Sequence, residues 1–239
     1  MADASSYFPE AYDSLPSLAQ AEANYFTGSV GEQMKKIRKL FIEEQVHEVF
    51  GVLLLHRHFP IEPTHRLVEI SPLLKPLFFY QDKGKGKLAN EDSLIPRSYR
   101  VFGEKFVAID FTLKLDSSTK ATTSMKATSF TDANAAFFVK AAKLFAELEV
   151  EKTLGLRILE YTSEYWEFGC TIGDKLAHMV PYAKFQGDAN VVETVWRFND
   201  DVNKGIECVE YGSGKKSQEL APKEDLKRVV LESHRLYHN

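Results

Sequence analysis

Phe50-Gly51-Val52-Leu53-Leu54-Leu55, followed at once by His56-Arg57-His58, is the most apolar run of the 239-residue chain, and it closes on two histidines separated by one residue. A run this short, rich in Val and Leu, fits a central strand covered on both faces. Side chains of a strand alternate between its faces, so His56 and His58 are expected on one face at the polar end, with Arg57 on the other. That is how a fold presents two imidazoles to one metal ion or one substrate.

Before this run, Ser14 to Phe26 reads as a short helix and Gly28-Ser29 as a break. Met34, Ile37, Leu40 and Phe41 then recur at three-to-four spacing against Lys35, Lys36, Arg38 and Lys39, which predicts an amphipathic helix over 31–47. After the run, the stretch between Ile70 and Pro96 reads as irregular, with Pro72, Pro76 and Pro96 flanking Lys83-Gly84-Lys85-Gly86-Lys87. Ser98–Phe102 and Lys105–Phe111, joined by Gly103-Glu104, read as a β-hairpin. An Ala-rich helix is predicted over 132–149 and an amphipathic one over 222–237. Alternation around Trp166–Ile172, Val192–Phe198 and Ile206–Tyr211 predicts antiparallel neighbours in a meander.

The expected fold class is therefore α+β: a single domain over 1–239, with 1–28 as a peripheral N-terminal segment. Its sheet is mainly antiparallel, open to curling into a partial barrel, and packs against three amphipathic helices.

Composition narrows the function classes. Hydrophobic residues make up 44% and charged residues 27%, the balance of a chain that folds around a core. With 30 Lys+Arg against 34 Asp+Glu, the net charge of −4 supplies no field that would gather nucleic acid or an anionic membrane. The start, Met1-Ala2-Asp3-Ala4-Ser5-Ser6, lacks the charged and apolar regions of a secretory leader, so a cytoplasmic location is the expectation. Cys170 and Cys208 alternate with Ile172 and Ile206 and read as small core thiols. Gly212-Ser213-Gly214-Lys215-Lys216-Ser217 departs from a phosphate-binding loop, with Val209 at the first glycine and Lys216 at the hydroxyl, and no nucleotide cofactor is indicated.

The chemistry then centres on His56 and His58. Neutral imidazoles on one face can ligate a divalent transition metal such as zinc, iron or nickel. Glu62 is the nearest following carboxylate, and His178 is a further candidate ligand. Gly51, His56, His58 and Glu62 resemble the first motif of the cupin family, a glycine before an H-x-H pair with a glutamate after it. The resemblance spans Gly51 to Glu62 and stops there, with Glu69 where that motif has glycine, so it implies an analogous metal chemistry and not family membership. Glu160, Glu164 and Glu167 lie among Tyr161, Tyr165 and Trp166, aromatic candidates for lining a substrate pocket. The resulting expectation is a cytosolic small-molecule enzyme of isomerase, lyase or hydrolase type, with His56 and His58 as metal ligands or proton-transfer groups. The alternative is a non-enzymatic small-ligand-binding or interaction protein with structural histidines.

Overall fold

In a computed structural model, residues 7–27, 30–70, 73–78, 94–113, 132–159, 167–171, 177–181, 191–201 and 205–213 are described. They form four helices, α1 (Pro9–Asp13), α2 (Leu18–Thr27), α3 (Val30–Glu43) and α4 (Asp132–Glu147). The strands are β1 (Phe50–Leu54), β2 (His65–Ile70), β3 (Leu73–Phe78), β4 (Leu94–Phe102), β5 (Lys105–Leu113), β6 (Leu154–Ile158), β7 (Glu167–Thr171), β8 (Ala177–Pro181), β9 (Val191–Phe198) and β10 (Ile206–Ser213). The fold is α+β.

The strands close into a barrel in the order β1-β6-β4-β5-β2-β3-β8-β7-β10-β9, with β9 returning to β1. The sheet is mixed. β2 runs parallel to β5, and β7 parallel to β10, which corrects the expectation of a mainly antiparallel sheet and of a simple C-terminal meander. β7 lies between β8, the next strand in sequence, and β10, which is three strands further along the chain. The stretch expected to be irregular after Ile70 holds β3, paired antiparallel with β2 from Ile70↔Leu73 to His65↔Phe78. The Gly/Lys run and the helix expected over 222–237 lie outside the described residues.

The outer face of the barrel is apolar and carries the longer helices. On α3, Val30, Met34, Ile37 and Phe41 are buried at helical spacing. On α4, Phe137, Phe138, Ala141, Ala142 and Phe145 are buried together. Phe41 meets Phe137 and Phe198 edge-on at 5.2 and 5.0 Å, while Phe138 meets Phe50, Tyr99 and Phe106. Each such ring contributes about 1.5–3 kcal/mol through burial. Both helices stop in the same way. Gln45 and Glu149 take positive φ, and the amides of Val46 and Val150 reach back to the carbonyls of Phe41 and Phe145. This is the 6→1 closure of a Schellman turn, which ends α3 just ahead of β1 and α4 just ahead of β6.

β1 and β6 pair so that Gly51 faces Arg157 and Leu53 faces Gly155. Gly51 leaves the space opposite Arg157 empty of side chain, and a methyl there would come within 2.8 Å of Leu159 and 2.7 Å of the Trp196 carbonyl. Leu53, Leu55, Leu67, Ile109, Leu159 and Val195 form a second apolar cluster with Tyr12 and Leu15 of the N-terminal segment. Ala11, Tyr12, Leu15 and Ala21 are buried, so the stretch expected at the periphery contributes to the core.

Candidate functional site

β1 ends at Leu54, so the histidine pair stands on the loop that leaves the strand and not on the strand itself. The two rings still meet, edge-on, with centroids 4.7 Å apart, because His56 folds back. Its Nδ1 lies 2.8 Å from the Leu54 carbonyl oxygen. A carbonyl can only accept, so Nδ1 carries the proton and donates it, and in the neutral ring Nε2 holds the lone pair. Both rings are half-buried. Burial lowers the pKa of His56, with Arg157 adding to the effect while the Leu54 carbonyl and Asp110 oppose it. His58 is held well below the ordinary 6.5, first by burial, then by His56 and Arg157. The pair is therefore neutral near pH 7.

Beside it lies a buried charge network that the inward faces of five strands assemble. Arg157 of β6 donates from Nε to Glu210 of β10 at 3.0 Å, from Nη1 to Ser98 of β4 at 2.8 Å, and from Nη2 to Glu69 of β2 at 3.1 Å. Nη1 also faces both carboxylate oxygens of Asp110 on β5, at 3.3 and 3.2 Å. Arg97 of β4 pairs with Glu69 and lies 3.8 Å from Glu210. Around the barrel β2 and β10 are each three places from β6, on opposite sides. Adjacent strands are about 4.8 Å apart, so one side chain can touch both only across the interior. The network marks the inside of the barrel, and its members are at most 13% exposed.

Of the residues predicted as site members, His56 and His58 are brought together, and the charge of Asp110, which falls within the predicted hairpin, is felt at His56. Glu62 is exposed, and its backbone carbonyl accepts from the His65 amide at 2.8 Å. His178 sits on β8, in register with Leu73 and Cys170, and its side chain lies outside the described residues. Glu160, Tyr161, Glu164, Tyr165 and Trp166 lie outside them as well. Among the described residues no group of three or more His, Cys, Asp or Glu is placed to hold a metal ion. Among them, too, no helix is long and apolar enough to cross a membrane.

Sequence reasoning missed Arg97, Arg157, Glu69 and Glu210. Leu154-Gly155-Leu156-Arg157-Ile158 does alternate, but its charged position reads as solvated unless the sheet is known to close. Comparison with protein-family models, curated proteins and solved structures finds no match to this chain.

Proposed function

We propose that the chain binds a small molecule at the histidine pair and acts on it by proton transfer, as a cytosolic enzyme of isomerase, lyase or hydrolase type built as a single domain. The observation that carries this reading is the hydrogen bond from His56 Nδ1 to the Leu54 carbonyl, which fixes one neutral tautomer on a half-buried ring. A neutral imidazole with a fixed tautomer is a ready proton acceptor through Nε2. His58, edge-on beside it, is suited to orient the substrate. The named donors of Arg157 are already engaged within the chain, so the charge network supports the pair from behind and leaves the chemistry to the imidazoles.

Two imidazoles would supply half of a tetrahedral zinc shell. Glu62 is exposed and is not grouped with the pair among the described residues, and the chemistry proposed is metal-free proton transfer. The partner is a small molecule, with neither nucleic acid nor membrane in the role.

Screening small carbonyl and carboxylic compounds by thermal shift against wild type, His56→Ala and His58→Ala tests the reading. Compounds that raise the melting temperature of wild type alone, and are turned over by it alone, are the expected result. Equal stabilisation of all three proteins, or none by any compound, would overturn it. A second reading, a non-enzymatic binder, is favoured by the fact that the same Leu54 bond caps the end of a strand. On that reading His56→Gln lowers stability and leaves compound affinity unchanged.

A further inference from the structure

The loop that carries the two histidines is gripped from one side by the N-terminal segment at successive points. Tyr12, buried on α1, donates its hydroxyl to the Phe59 carbonyl at 3.1 Å, one residue beyond His58. Arg57, between the histidines, donates its backbone amide to the Pro16 carbonyl at 2.7 Å and its Nη1 to the Asp13 carbonyl at 3.1 Å. Ser17 and Arg57 form an isolated parallel bridge. The segment is itself anchored to the barrel, because Arg100 of β4 donates to the Ala11 carbonyl at 2.7 Å and to the Ser14 hydroxyl at 2.8 Å. Tyr12, Leu15 and Phe59 share one apolar cluster with the inward-facing Leu53 and Leu55.

We propose that residues 12–17 form a strap that sets the geometry of the histidine pair, with Tyr12 and Arg57 as positioning residues. The inference rests on the functional reading of the pair for its purpose, but the positioning is a separate physical claim. A loop residue just past a strand end has few backbone partners of its own, so its side-chain geometry depends on whatever fixes the loop. Here Leu55 is held by the Thr153 carbonyl on one side, and Arg57 and Phe59 by the strap on the other. His56 sits between these anchors, which is why its ring can keep a 2.8 Å bond to Leu54. Tyr12 touches neither substrate nor reacting atoms on this account. It acts through Phe59.

Nitrogen-15 NMR of the imidazole rings tests the strap in the full chain. Tyr12→Phe keeps the buried ring and removes only the hydroxyl, and Arg57→Ala removes the Asp13 contact. Combined, they are expected to shift the tautomer ratio at His56 toward an even mixture by about fivefold, the scale of one neutral hydrogen bond. Arg57→Lys, which keeps one donor, should recover most of that shift. Phe145→Leu, which weakens the outer face without touching the strap, should leave the imidazole signals in place.

Wild-type imidazole signals in the double variant would overturn the proposal, as would an equal shift in Phe145→Leu. Compound-induced stabilisation measured on the same samples separates the two claims. Shifted imidazoles with unchanged binding leave the strap standing and overturn the functional reading, whereas weakened binding with unshifted imidazoles overturns the strap.

Discussion

On the outside of the barrel wall, Phe50, Leu54, Leu156 and Phe106 share one buried cluster with the aromatic rings of α3 and α4, while on the inside the same wall carries Arg97, Arg157, Glu69, Asp110 and Glu210. Both faces are buried, and they cohere by different physics. The outer face holds through area and ring packing, which tolerate a change of shape at moderate cost. The inner face holds through paired charges, whose partners are stranded if one is removed. An alternating strand thus need not mean one dry face and one wet face. In a closed barrel the polar face is enclosed as well, and each charge then needs a partner within reach.

The sharpest way to break this comparison is Arg157→Ala, which leaves Glu69, Asp110 and Glu210 without their shared partner. Urea denaturation should show a loss of about 3–5 kcal/mol. Phe138→Leu on the outer face should cost about 1.5 kcal/mol in the same assay, since the remaining rings can close part of the space. Equal costs would mean that the inner charges act as independent surface-like pairs.

A pH series sharpens the inner region further. The folded-state pKa values of His56 and His58 lie below 6.5, so the unfolded chain takes up protons first as the pH falls. Their contribution to stability is fully present above 6.5 and is lost as the pH drops below it toward the folded values. His58→Gln should flatten that loss between pH 6.5 and 5, and an unchanged slope would mean that His58 does not contribute to it. The smallest effect belongs to the exposed side chain first expected to complete a metal shell. Glu62→Gln should stay within about 0.5 kcal/mol of wild type and leave the histidine titrations unchanged.

The outer face was the more legible of the two in the sequence. Met34, Ile37 and Phe41 announce α3 by their spacing, and the 98–111 hairpin is readable from the apolar strands on either side of Gly103, whose φ of 68° permits the tight turn. The run from Phe50 also identifies β1, because a buried strand needs no alternation. The inner face was not legible, for a reason that concerns distance along the chain. Glu69, Arg157 and Glu210 are brought together only when the ring closes, and nothing local distinguishes them from solvated strand residues. The parallel pairing of β7 with β10 is hidden in the same way, since alternation reveals a strand and not its neighbour. At the candidate site, His56 and His58 were readable as a pair, but through the wrong element. They meet because a loop folds back on Leu54, and the Tyr12 contact that holds this loop spans 47 residues.

The closed strand order has a consequence for how the chain behaves among its own copies. Among the described residues every strand in the ring has a paired neighbour on both sides, so none stands as a free edge strand open along one whole side to another molecule. If β6 or β9 detached, the row opened on β1 would lie along the apolar run Phe50–Leu55, a segment suited to recruit a second chain. Closure therefore guards against self-association, and the pairings that complete the ring are where that protection would first give way.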